Sequence, residues 1–199
     1  ARSSPSASPV HDKAGQMTND GSTWKYKYDA FGRVVEVSTQ ADEVRARYVY
    51  DGLGQRIGWH TDVNADGSVS TSDPWSRFVY DDRWRIVATQ RIAGGTGSGV
   101  AAFRSGAADS SPTERVVHHA AGLDGSGGSS YLDSLVMIER DLNRGGGAGT
   151  VGAWGAAADG SLEARLPFCQ NWRADVVAVL GSGGAILREC RRVASKWPW

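Results

Sequence analysis

One phrase, written four times, constrains this chain more than any other feature: Tyr or His, then Asp, two or three variable residues, then Gly or Arg leading into an apolar-alternating run. Tyr28-Asp29-Ala30-Phe31-Gly32-Arg33-Val34 and Tyr50-Asp51-Gly52-Leu53-Gly54-Gln55-Arg56-Ile57 are clean copies. His11-Asp12-Lys13-Ala14-Gly15-Gln16-Met17 is a worn copy, and Tyr80-Asp81-Asp82-Arg83-Trp84-Arg85-Ile86 has lost its Gly. Self-similarity on this scale means one supersecondary unit stacked on copies of itself.

The unit can be read from its chemistry. Tyr26-Lys27-Tyr28-Asp29, Tyr48-Val49-Tyr50-Asp51 and Phe78-Val79-Tyr80-Asp81 all run aromatic, variable, Tyr, Asp. Aromatics two apart lie on one face of a strand. The Asp suits the first turn position, where its carboxylate accepts local backbone N–H bonds, and Gly15, Gly32 and Gly54 suit a residue at positive φ. Alternation resumes after each turn, with Val35, Val37 and Thr39, then Ile57 and Trp59, then Trp84, Ile86 and Ala88. Each unit is therefore strand, tight turn, strand, and the expected fold is all-β and antiparallel. In this reading Asp12, Gly15, Tyr28, Asp29, Gly32, Arg33, Tyr50, Asp51, Gly54, Tyr80 and Asp81 are structural turn residues.

These residues resemble the RHS or YD repeats of bacterial shell proteins, Tc toxin components and teneurins. Tyr131-Leu132-Asp133-Ser134-Leu135-Val136-Met137-Ile138-Glu139-Arg140-Asp141 and Cys169-Gln170-Asn171-Trp172-Arg173-Ala174-Asp175 are similar to segments that follow the recognisable repeats in that family. The resemblance implies a curved, open portion of a YD-repeat β-shell, part of a wall that encloses or displays a cargo. It also implies a secreted or surface location and, as partner, the remainder of a longer chain or a neighbouring chain at the open sheet edge. Longer members cleave themselves with an aspartyl protease-like motif containing Asp-Pro; Asp73-Pro74 lies in a mid-chain turn without that context, and the activity is not carried over.

The remaining organisation follows composition. Residues 1–10 form a disordered Ser/Pro segment, 11–92 the repeat strands, 93–113 a Gly/Ser/Ala loop, 114–142 core-associated strands, 143–160 a Gly/Ala-rich loop, 161–190 a final hairpin and 191–199 an atypical tail. Both loops are expected to be long, and no amphipathic helix stands out; 111–121 suits a short helix or a strand. The tail departs abruptly from the family pattern, as a truncation or frameshift would, and the Ser/Pro start has no apolar core of a signal peptide. Charge is balanced at 22 against 22, so no strong field points to nucleic acid, and no apolar run approaches the roughly 20 residues of a membrane helix. Cys169 and Cys190 are expected to be free thiols.

Four features carry a chemical alternative. Asp62, Asn64, Asp66 and Asp73 have the spacing of a calcium loop, but the twelfth residue is Asp instead of the bidentate Glu and helices do not flank it. An Asp66-Gly67 turn explains the pattern without metal, so no cofactor is expected and calcium is the weaker alternative. His118-His119 cannot easily share an ion on a strand, where neighbours point to opposite faces. Exposed Trp59, Trp84 and Trp172 could stack on a carbohydrate, against the plainer role of packed cross-strand aromatics. The four repeat aspartates, at equivalent positions, are read as turn residues and not as an acid/base pair. The expectation is a non-catalytic structural segment, with a carbohydrate or cell-surface binding module as the alternative.

Overall fold

A computed structural model describes residues 8–63, 66–96, 99–118, 135–143, 156–170 and 176–189. Asn64, His119, Trp172, Cys190, the tail 191–199, the first residues of the Ser/Pro segment and most of the 143–160 loop lie outside the described residues. The described residues form an all-β fold of antiparallel strands with one short helix. Its strands are β1 (Val10–His11), β2 (Met17–Asn19), β3 (Trp24–Tyr28), β4 (Val34–Thr39), β5 (Val44–Tyr50), β6 (Arg56–Thr61) and β7 (Trp75–Tyr80). They continue as β8 (Ile86–Ala93), β9 (Ala107–Ala108), β10 (Glu114–His118), β11 (Leu135–Arg140), β12 (Ala164–Gln170), β13 (Val176–Leu180) and β14 (Ile186–Glu189).

Two compact units divide these elements. The first is built on residues 8–78 and 91–109, where β1 to β7 pair in chain order and the end of β8 pairs with β9. Val49, Trp75, Ile92 and Phe103 form its buried core, with Ile57 packed against them. The second is built on described residues within 79–90, 110–143 and 157–189, with the order β8, β10, β11, β12, β13, β14.

Alternation along the strands sets charge ladders as well as burial. Glu36 on β4 pairs with Lys27 on β3 at 2.7 Å and with Arg47 on β5 at 3.0 Å. Burial alone would raise its carboxyl, but the two cations prevail and hold it below the ordinary range. In the second unit Glu139 on β11 stands likewise between Arg115 and Arg165, each at 3.3 Å. Opposite charges placed across neighbouring strands are the sheet's counterpart of helical i,i+4 pairs.

The segment expected as a loop over 93–113 is partly ordered. It holds a short helix α1 (Val100–Ser105) between Gly99 and Gly106, and the strand β9. A six-residue helix is marginal on propensity alone. Phe103 anchors it by entering the core, where its ring meets Trp75 edge-on at 5.3 Å. Within the 111–121 segment, Glu114–His118 form strand β10. The stretch expected as a final hairpin contains three strands, β12, β13 and β14. Cys169 is a free thiol whose cross-strand partner is Ala178.

Candidate functional site

The repeat turns share one hydrogen-bond pattern. Asp29 donates its N–H to the Arg33 carbonyl at 2.9 Å and accepts the N–H of Gly32 on its own carbonyl at 3.0 Å. Its Oδ1 accepts the N–H groups of Phe31 and Arg33 at 2.9 and 3.0 Å. This is a four-residue turn closed by a residue at positive φ, and the register of β3 against β4 shifts by a bulge between Lys27 and Tyr28. Asp12, Asp51 and Asp81 repeat the pattern: Oδ1 accepts from Ala14 and Gln16, from Leu53 and Gln55, and from Arg83 and Arg85. In the two copies with Arg at the fifth position a guanidinium also clamps Oδ2, Arg33 Nη2 at 2.6 Å and Arg85 Nη2 at 2.7 Å.

The position at positive φ is Gly15, Gly32 and Gly54 in the first three copies, with φ 82, 79 and 91. In the fourth it is Trp84, at φ 66. Among the described residues the same turn also occurs at two places that carry no Tyr-Asp phrase. Thr39 donates to the Glu43 carbonyl and accepts from Asp42, which stands at φ 66, while Thr39 Oγ1 accepts the Glu43 N–H at 3.3 Å. Gly181 pairs in the same way with Ala185 and with Gly184, at φ 80.

Successive turns are sealed to one another. Tyr28 Oη donates to the Met17 carbonyl at 2.8 Å, and Tyr50 Oη donates to the Val34 carbonyl at 2.9 Å. Met17 and Val34 both lie five residues after a turn Asp. Arg33 completes the joint by placing its guanidinium over the Tyr50 ring at 4.7 Å while Nη1 donates to the Asp51 carbonyl at 3.2 Å. In the second unit a histidine takes the part of the tyrosine: His118 Nε2 bonds the carbonyl of Ile86, five residues after Asp81, at 2.8 Å.

These contacts set what the repeat carboxylates can do. The Asp29 carboxyl lies below the ordinary range, first through the Arg33 N–H and then through the Arg33 side chain. For Asp81 burial pushes upward, but the Arg85 N–H and guanidinium bring the net shift down. Both are anions with their oxygens committed to the turn, a poor starting point for general acid chemistry.

A further group of polar side chains in the first unit lines a cleft of about 360 Å³ between the 69–75 loop and the end of β8, with Arg47, His60, Asp73 and Trp75 in its wall. His60 is 3% exposed, stacks on Trp75 at 4.4 Å and donates from Nε2 to the Asp73 carbonyl at 2.9 Å. With the carbonyl as acceptor the proton sits on Nε2, and Nδ1 is buried without a partner. Burial is the main reason that its pKa falls below the ordinary 6.5. Asp73 does not serve His60 with its carboxylate: Oδ1 accepts the Val63 N–H at 3.0 Å, and Oδ2 accepts the Ser70 N–H at 2.9 Å and the Ser70 hydroxyl. His60 and Asp73 are thus architectural partners and not a base with its orienting carboxylate.

The carboxylate of Asp62, the first of the calcium-spaced residues, is engaged in the same fashion. Asp62 Oδ1 accepts the Asp66 N–H at 3.1 Å, and Oδ2 accepts the Gly67 N–H at 2.8 Å. These are the bonds of an Asp-initiated turn. Of the aromatic candidates, Trp59 is half-buried opposite Tyr48 on β5, whereas Trp84 projects from its turn 56% exposed. The two belong to different units.

Residues 28–69 match the family model for the RHS Repeat. The matched span begins at the first sealing tyrosine and takes in the turns at Asp29, Thr39 and Asp51. No curated protein matches the chain.

Proposed function

We propose that this RHS-repeat chain is a non-catalytic wall segment of a larger secreted or surface assembly, in which stacked hairpins enclose or display a cargo. The observation that carries this reading is the commitment of the repeat's own polar groups to one another. The Asp carboxylate, the Tyr hydroxyl and the Arg guanidinium each bond within the turn or to its neighbour, so the distinctive residues build a wall rather than recognise a ligand. The remainder of a longer RHS-type chain, or a neighbouring chain, supplies further strands in this arrangement; an unpaired edge is a template for such addition. An extracellular or surface setting agrees with the family. Among the described residues no helix is long and apolar enough to cross a membrane.

A glycan-array screen tests the reading against carbohydrate recognition, using the wild type, Trp59→Ala and Trp84→Ala. The wall role predicts no saturable glycan signal. A signal lost in either variant, with the melting temperature kept, overturns it in favour of a binding module.

A further inference from the structure

Asp141, immediately after β11, is 0% exposed, and its Oδ1 has no hydrogen-bond partner. Its Oδ2 accepts the Asp159 N–H at 3.1 Å. Arg140 and Ala164 are the last paired residues of β11 and β12, so Asp141 and Glu163 follow at opposite positions one step beyond the ladder. One carboxylate oxygen from each of Asp141, Asp159 and Glu163 lies within 4.8 Å of the other two. Like charges so placed repel across a sheet, and among the described residues neither Lys nor Arg pairs with any of the three.

The surrounding groups add oxygen and hold Asp159 and Glu163 ionised. The Asn143 side-chain amide donates to Asp159, which leaves Asn143 Oδ1 buried and unpartnered. Ser161 donates its N–H and its hydroxyl to Asp159 Oδ1, both at 2.8 Å, and its hydroxyl also meets Glu163 Oε1. The Leu142 N–H donates to Glu163 Oε2 at 3.0 Å. Asp159 is lowered below the ordinary carboxylate range chiefly by the Ser161 N–H, and Glu163 chiefly by the Ser161 hydroxyl. Two orphaned buried oxygens therefore sit beside two anionic carboxylates. A buried polar oxygen left without a hydrogen-bond partner is costly for a fold to carry.

We propose that Asp141, Asn143, Asp159 and Glu163 form a calcium site at the open end of the β11–β12 ladder. The donors are carboxylate and amide oxygens without His or Cys, a hard set that excludes zinc-type ligation. Calcium accepts such mixed oxygen shells in flexible geometry, whereas magnesium demands a near-ideal octahedron and keeps its waters. The ion would neutralise the cross-ladder repulsion and occupy the lone pairs that the protein leaves empty. The Asp62 turn has no such vacancy on its carboxylate, whose two oxygens already accept backbone N–H groups.

Calorimetric titration of calcium chloride into the full chain tests this, together with thermal unfolding in calcium, magnesium and EDTA. Saturable calcium binding is expected, with a melting temperature higher in calcium than in EDTA and a smaller rise in magnesium. Glu163→Gln weakens calcium affinity tenfold or more, and Asp141→Asn abolishes the calcium-dependent rise. No saturable heat at millimolar calcium overturns the site, as does binding that both variants leave unchanged. Should Asp141→Asn fail to fold, the exposed Glu163→Gln change decides alone.

Discussion

The N–H of Trp84 donates to the carbonyl of Asp81 at 3.1 Å from a backbone at φ 66, the conformation that Gly32 supplies for Asp29. A β-carbon in this region costs about 1–2 kcal/mol, and the largely exposed indole recovers little of that through packing. Part of the gain from glycine is lost to the greater freedom of the unfolded chain. Trp84→Gly is therefore expected to stabilise the protein by about 1 kcal/mol, read as a higher urea midpoint at unchanged m. A lower midpoint would show that the indole contributes more than its exposure suggests.

The turn carboxylate contributes through its acceptor oxygen. Asp51→Ala orphans the N–H groups of Leu53 and Gln55 and is expected to cost about 1 kcal/mol, comparable to losing a helix N-cap. Asp51→Asn keeps an oxygen in the same place and is expected to cost only a few tenths. Equal losses in both variants, measured by denaturant unfolding, would mean that charge and not the acceptor matters.

Gly58 has no room for a methyl group. A β-carbon there would stand 2.7 Å from Cε2 of Phe103, a ring fixed in the core. Overpacking of this kind costs about 1–3 kcal/mol, so Gly58→Ala should lower the stability by that amount. Phe103→Leu in the same chain should recover part of it, a negative coupling visible in a double-mutant cycle. Additive losses would separate the glycine's role from the ring.

His60 gives the fold a proton-sensitive point. Its folded pKa lies below the ordinary 6.5, so over the interval between the two values the unfolded chain binds more protons than the folded one. Stability is complete above pH 6.5 and falls as the pH drops through that value toward the lower folded pKa. The expected observation is a melting temperature that declines from pH 7.5 to 5.5 in wild type and stays flatter in His60→Gln. The depressed carboxylates Asp29, Asp81 and Glu36 act the same way only at more acid pH, below the ordinary carboxylate values of about 4. An equal decline in the Gln variant would assign the effect elsewhere.

The repeat hairpins are legible in the sequence because Asp and Gly advertise their turn chemistry directly. Thr39 and Gly181 start the same turn without that signature: the Thr hydroxyl replaces one carboxylate oxygen, and at Gly181 the backbone bonds suffice. His118 seals a hairpin with a ring nitrogen in place of a phenol, an equivalence that appears only once β10 is paired beside β8. Helix α1 escapes detection because Phe103 finds its reason for being helical in residues distant along the chain. The acidic cluster is hidden for a related reason. Asp141 and Glu163 become neighbours through the pairing of β11 with β12, across the Gly/Ala-rich insertion that separates them in the sequence.

The two tyrosine seals run in one direction. The carbonyl of Met17 is satisfied by Tyr28 and that of Val34 by Tyr50, so each of these two hairpins is finished by a residue that comes later in the chain. On a ribosome, where the amino end emerges first, a hairpin that has already turned waits for the next tyrosine to lock it. At these two joints a later copy thus fixes the one before it, as nearest-neighbour coupling in a repeat array requires.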